Sequence, residues 1–186
     1  MTEGETDATT LERLLEISSM LNSTLKLDEL LAQILAAATE LTAAETSSLL
    51  LLDEEGEELT VEMATGAPGE AVVREHVPAG QGVAGWVVEH GEAVVVDDPG
   101  SDPRFYHGID EKSGYETKSI LAVPMSSRGR TIGVIEVINK REGGFTVRDQ
   151  KVATALASQA AVAIDNTRMY ARLADAVVAS RMSYRL

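Results

Sequence analysis

The chain contains no cysteine among its 186 residues. Disulfides, thiolate nucleophiles, iron–sulfur clusters and cysteine-bound zinc are therefore excluded. Aromatic residues are scarce at 4%, while 44% of residues are hydrophobic, so the core must be built from Leu, Val, Ile and Ala. No apolar run approaches the roughly 20 residues needed to cross a bilayer. Residues 1–10 are polar and acidic, the opposite of a secretory signal peptide, and the expected location is cytoplasmic. Positive charge is also short, with 16 Lys and Arg against 30 Asp and Glu, for a formal net charge of −14. Such a surface repels nucleic-acid phosphates and anionic lipid, so neither nucleic acid nor membrane is an expected partner. A single small anion remains compatible, because helix N-termini hold phosphate without any basic side chain.

The length suits one domain. Residues 1–10 read as a disordered N-terminus. Leu11, Leu14, Leu15, Ser18 and Leu21 then recur at helical spacing until Asn22-Ser23-Thr24 interrupts them. A second helix carries Leu27, Leu30, Leu31, Ile34, Leu35, Ala38 and Leu41 on one stripe. From Ser47 the period changes. Residues 47–52 form an apolar run ended by Asp53-Glu54-Glu55-Gly56, and Leu59, Val61 and Met63 alternate with Thr60, Glu62 and Ala64, which predicts a hairpin. Residues 71–77 are expected to be a third strand. A short helix follows at 83–90, capped by Gly91, and then a strand at 93–96.

Residues 97–118 show no sustained period, and a loop of that length inside a compact domain is usually functional. Two strands, 119–125 and 130–139, flank a turn at Arg128-Gly129. One long helix runs from Thr146 to about residue 180, with Thr146 and Asp149 at capping-box spacing. Tight turns between strands predict an α+β fold: a six-stranded antiparallel sheet, with N- and C-terminal helices on one face.

Several residues raise a question of chemistry. Gly80-x-Gly82-x-x-Gly85 matches a dinucleotide fingerprint, but the helix after it is too short for a Rossmann crossover. Two readings stay open there: a tight turn into the helix, or free N–H groups at Val83 and Ala84 that receive an anion. Glu136 shares a strand face with Ile132, Val134 and Ile138, so it points where its neighbours are buried. An unpaired buried carboxylate costs several kcal/mol, roughly, and needs a partner or water. A pocket wall and a solvated sheet face both supply one, and the pocket is the favoured reading. Asp110, Ser113 and Thr117 are, on composition, ordinary exposed turn residues. No nucleophile–base–acid set and no phosphate loop with lysine is present, so no enzymatic activity is expected.

Several ordered motifs converge on one family. They are Pro78-Ala79-Gly80-Gln81-Gly82-Val83-Ala84-Gly85-Trp86, Asp102-Pro103-Arg104-Phe105-Tyr106, Ser119-Ile120-Leu121-Ala122-Val123-Pro124 and Asn139-Lys140. The last is Ala157-Ser158-Gln159-Ala160-Ala161-Val162-Ala163-Ile164. Over residues 11–170 the chain resembles a GAF domain, the ligand-sensing module of cyclic-nucleotide phosphodiesterases, bacterial adenylyl cyclases and many bacterial regulators. Residues 171–186 would extend its C-terminal signalling helix. The set Asn139-Lys140, Phe145 and Asp149 is similar to that of the cyclic-nucleotide-binding members, with Gln150 in place of a glutamate. By that resemblance Lys140 and Asp149 form a structural salt bridge.

The resemblance also implies that Tyr106, Asp110, Ser113 and Thr117 line a ligand pocket. Ser48, Val83, Ala84 and Glu136 would complete it. The ligand implied is cyclic AMP or cyclic GMP, with no other cofactor and no metal. This chain has Met63 and Ala64 where cyclic-GMP binders carry an aromatic residue and an aspartate. His76, His90 and His107 lack paired metal-ligand spacing. A haem ligand at His107, as in some sensory GAF domains, is the minority reading, and a surface histidine is the default.

The last helix places Val152, Leu156, Ala160, Ala163, Thr167, Tyr170, Ala174 and Val177 near a 3.5-residue repeat. A homodimer through the terminal helices is therefore expected, together with an output domain or partner protein to receive the signal. The alternative is a dimerisation module with a vestigial pocket or no ligand.

Overall fold

Two long strands organise the molecule because they pair with each other from opposite ends of the sequence. β1 (Ala44–Leu52) runs antiparallel to β6 (Arg130–Lys140), with Ser48 opposite Glu136 and Thr46 opposite Ile138. β2 (Glu58–Ala64) and β3 (His76–Pro78) extend the sheet beyond β1, while β5 (Ile120–Ser127) and β4 (Val94–Val96) extend it beyond β6. The order is β3-β2-β1-β6-β5-β4 and every pairing is antiparallel, as the tight turns implied. The computed structural model describes residues 24–66 and 69–183. The expected first helix at 11–21 and the N-terminus before it lie outside the described residues.

The chain divides into two compact bodies. One, Leu31–Ala161, contains the whole sheet; the other takes the described residues 24–30 and 162–183. α1 (Thr24–Leu41) contributes Leu31, Ile34, Leu35 and Ala38 to the sheet-bearing body, a buried stripe at helical spacing. α2 (Gly69–Val72), α3 (Gly82–His90) and α4 (Gly108–Ser113) are short. α5 (Val147–Ser183) has Ala153, Ala157 and Ala160 completely buried in its first half. No helix among the described residues is long and apolar enough to cross a membrane.

Strand alternation divides neighbouring residues between two environments. Ser47 turns to α1, where its hydroxyl donates to the Leu35 carbonyl (3.0 Å) and lies 2.7 Å from Thr39 Oγ1. Ser48, one residue on, turns to the opposite face, where α3 and α4 lie over a cavity. That face holds the core of Leu50, Leu59, Val61, Val77, Val83, Val87, Ile120 and Val134.

Two expectations need correction. The strand expected at 71–77 is a helical turn at Gly69–Val72, followed by a strand only at His76–Pro78. Arg74 between them has φ 73°, a left-handed turn that ends the helix and re-aims the chain. The stretch at 97–118 is not wholly irregular: it holds a 3₁₀ turn at Pro99–Ser101 and α4, which Gly114 closes in a left-handed conformation at φ 68°. Both helices are too short to produce a readable hydrophobic period.

Candidate functional site

The cavity lies between the sheet and the 97–118 loop. Its floor follows from the period-two alternation of β1 and β6, which turns Thr46, Ser48, Leu50, Glu136 and Ile138 to one face. Its walls and roof come from the start of α3, from α4 and from residues on either side of α4. The cavity is narrow, about 80 Å³, below the ~300 Å³ at which small-molecule sites begin, so a ligand of that size enters only as the loop moves. All eight residues named from the sequence line it: Ser48, Val83, Ala84, Tyr106, Asp110, Ser113, Thr117 and Glu136. The sequence reading did not name the apolar part of the lining, such as Val61, Val72, Phe105 and Ile109, nor Tyr115.

Asp110 holds the loop's own shape. Its two carboxylate oxygens accept from the Thr117 backbone N–H (2.8 Å) and hydroxyl (2.7 Å), tying α4 to the return strand of the loop. Ser113 Oγ accepts from the Tyr115 N–H at 3.2 Å. Tyr106 folds its ring over Gly108, where a Cβ would lie 2.8 Å from the ring, so a side chain there would displace the ring.

Glu136 differs from these. It has no hydrogen-bond partner among the described residues, and the part of its surface that stays accessible lines the cavity. Burial pushes its carboxyl up to about 7, and the Asp110 carboxylate adds to the shift. No Lys, Arg or His is among the cavity's lining residues.

The N-terminus of α3 is a positively polarised element at the cavity. Gln81 stands at its cap position with no side-chain hydrogen bond, and Gly82, Val83 and Ala84 line the cavity. The first N–H groups of a helix have no intrahelical acceptor, and the helix dipole favours an anion there. The glycines before and within α3 allow that approach. Gly82 has φ 72°, and a Cβ at Gly85 would lie 2.9 Å from the Gly80 backbone. The tight turn into the helix is present, and it sets Val83 and Ala84 at the cavity.

A polar hub at Asn139 anchors the far end of the loop. Its Oδ1 accepts from the N–H groups of Lys118 (2.7 Å) and Ser119 (3.3 Å). Its Nδ2 donates to Glu45 Oε2 (3.0 Å), the Tyr115 hydroxyl (3.1 Å) and the Glu116 carbonyl (2.9 Å). The Tyr115 hydroxyl in turn donates to Glu45 at 2.5 Å. Burial and the Glu45 carboxylate push the Tyr115 phenol well above its ordinary value. The hydrogen bonds from Tyr115 and Asn139 hold Glu45 below the usual carboxylate range. Asn139 sits at φ 61°, a conformation Asn adopts far more readily than most residues.

The next residue, Lys140, donates to Asp149 Oδ2 (2.9 Å) and to the Thr42 carbonyl (2.6 Å). Its side chain is 13% exposed and that of Asp149 only 6%. Burial raises the Asp149 carboxyl, but hydrogen bonds from Thr146 and Lys140 outweigh it and leave the net shift downward. Thr146 and Asp149 cap the start of α5 reciprocally, with Thr146 N–H on Asp149 at 2.8 Å and Asp149 N–H on Thr146 Oγ1 at 3.2 Å.

Of the histidines, His90 stacks on Trp86 (4.1 Å between centroids) and His107 meets Phe105 edge-on (4.7 Å). Neither lines the cavity. Among the described residues no group of three or more His, Cys, Asp or Glu could hold a metal ion.

This sheet order, with a loop-covered cavity on one face, is shared with a known domain class. The GAF domain profile matches residues 24–165, and the chain belongs to that family. A probable 3′,5′-cyclic phosphodiesterase of Caenorhabditis elegans is 27% identical over 180 residues, covering 90% of this chain and 24% of that protein. A dual 3′,5′-cyclic-AMP and -GMP phosphodiesterase 11A of Takifugu rubripes is 34% identical over 171 residues, covering 86% of this chain and 19% of that protein. This chain thus spans about a fifth to a quarter of the length of these relatives.

Among solved structures, the GAF domain of a phosphoenolpyruvate-protein phosphotransferase from Coxiella burnetii superposes with a TM-score of 0.72 at 19% identity, over 90% of this chain and 98% of that one. The free methionine-R-sulfoxide reductase of Neisseria meningitidis gives 0.64 at 21% identity, over 91% of this chain and 95% of that one. These likenesses show the fold.

Proposed function

We propose that this GAF domain is a regulatory sensor whose cavity takes a purine cyclic nucleotide, cyclic AMP or cyclic GMP. The observation that carries the reading is Glu136: a cavity carboxyl without a hydrogen-bond partner among the described residues, opposite an uncapped helix N-terminus. A cyclic nucleotide suits both ends. Its phosphodiester is an anion for the N–H groups of Val83 and Ala84, and its base and ribose carry the hydrogen-bond donors that Glu136 lacks. Asp110, Ser113, Thr117 and Tyr106 shape the loop that encloses it, and the apolar lining accommodates the purine. The phosphodiesterase relatives act on the same class of molecule by name.

The domain acts as a sensor in this reading, and the reductase chemistry of some relatives needs the cysteine this chain lacks. Loop closure on the ligand shifts the terminal helices through differential affinity for two loop states. The output lies in a further domain or partner protein, as the unmatched remainder of the relatives suggests. Exposed Val162, Leu173 and Val178 on the later part of α5 support homodimerisation, in the cytoplasm. A dimerisation module with a vestigial pocket is disfavoured, because the cavity keeps several polar and ionisable side chains on a largely apolar lining.

Calorimetric titration with cyclic AMP and cyclic GMP tests the reading. Binding in about the micromolar range is expected, weakened by about a hundredfold in Asp110→Ala and in Thr117→Ala. No heat and no thermal shift at about millimolar nucleotide refutes it.

A further inference from the structure

Glu136 and Asp110 line the same cavity, close enough to act on each other's charge, and among the described residues no Lys, Arg or His joins them there. Glu136 belongs to the rigid side, since β6 is paired on both edges and Glu136 lies between Ser48 of β1 and Ala122 of β5. Asp110 belongs to α4, a six-residue helix with no buried residue. The other ionisable groups in the lining are the phenols of Tyr106 and Tyr115, beside α4. The remaining elements at the cavity bring only apolar residues, glycine and the hydroxyls of Thr46 and Ser48. Among the described residues no hydrogen bond compensates an ionised Glu136, and the Asp110 charge near it has its own sign.

Phe105, Tyr106 and Ile109 pack, partly buried, against the core and hold the loop shut, while its polar ties are few. Lys112 reaches Glu75 at 2.5 Å, with its side chain 63% exposed, and such surface pairs contribute little. Tyr115 and the Asn139 hub secure the loop's far end. The Asp110–Thr117 bonds are internal to the loop and move with it.

We infer that Glu136 and Asp110 form a proton-responsive clasp: while Glu136 keeps its proton the loop lies closed on the cavity, and loss of that proton sets two carboxylate charges in one cavity and drives α4 outward. Burial places this ionisation near neutrality, where modest changes of pH act on it. The clasp goes beyond the ligand reading and operates in the ligand-free chain. A ligand N–H or O–H that reaches Glu136 replaces the proton, so the same two residues register both inputs.

Hydrogen exchange followed by mass spectrometry on the ligand-free chain tests this. Wild type, Glu136→Gln and Asp110→Asn are compared at about pH 5.5 and about pH 8.5, each rate normalised to the intrinsic chemical rate at that pH. At the higher pH, amides of residues 105–118 are expected to exchange at least about tenfold faster in wild type than in Glu136→Gln, with a ratio near one at the lower pH. Asp110→Asn is expected to flatten the response as well. A wild-type to Glu136→Gln ratio that is the same at both pH values overturns the clasp, and so does an undiminished pH response in Asp110→Asn. Nucleotide calorimetry on the same samples reports separately, so the clasp and the cyclic-nucleotide reading can fail independently.

Discussion

Replacing Glu136 by Gln removes an ionisable group while keeping nearly the same shape, and its effect on stability depends on pH with a determined sign. The folded-state carboxyl is raised from 4.5 to about 7 by burial and by Asp110. A folded state that holds a proton more tightly than the unfolded chain gains stability from it at low pH. That gain is complete below about 4.5 and is lost as pH rises through about 7. The size follows from the shift: about 2.5 units at ~1.36 kcal/mol each give ~3 kcal/mol, an upper figure because water in the cavity relieves part of the cost.

Glutamine has no such dependence. Glu136→Gln should therefore match wild type at about pH 4.5 and exceed it by ~2–3 kcal/mol above about pH 8, or several degrees in Tm. Urea denaturation of both proteins across this range measures the difference directly, and acid effects common to both cancel. A difference that stays constant with pH would refute the reasoning, as would a variant less stable than wild type at alkaline pH. Either result would mean that Glu136 is satisfied by something other than its proton.

Tyr115→Phe removes one hydroxyl that donates to Glu45 and accepts from Asn139. It should cost ~1–2 kcal/mol in urea denaturation and quicken exchange at residues 113–118, while amides of β5 and β6 keep their protection. Lys140→Met leaves a nearly buried Asp149 with only Thr146 as partner, and should lower stability by ~2–4 kcal/mol at neutral pH. Asp149 is shifted downward, so its contribution is present at neutral pH and lost as pH falls through its lowered value. The deficit of Lys140→Met therefore shrinks in strong acid, measurable as converging denaturation midpoints.

The sheet and its faces were legible because alternation is a local signal. Val134 and Glu136 declare their shared side from spacing alone. Glu136 was singled out by the same logic, as a charge on an apolar face. The other polar wall residues were not visible in this way. Asp110, Ser113 and Thr117 look like any turn composition, and only the family resemblance set them at the cavity. Tyr115 and Glu45 went unread because the contact joins residues 70 positions apart and neither breaks a local pattern. The Gly69–Val72 turn was read as strand because β-branched residues at 72, 73 and 77 outweighed a helix too short to show a period.

Asn139 and Lys140 are adjacent in sequence but answer to different parts of the molecule. The first grips the end of the cavity loop; the second grips the last turn of α1 and the first turn of α5 through Thr42 and Asp149. A single peptide unit, ~3.8 Å from Cα to Cα, therefore separates the loop's anchor from the anchor of both helices. Displacement of the loop need not travel through the packed core to be felt where the helices begin. A twist at Asn139, already held in a left-handed conformation, would be felt at both anchors.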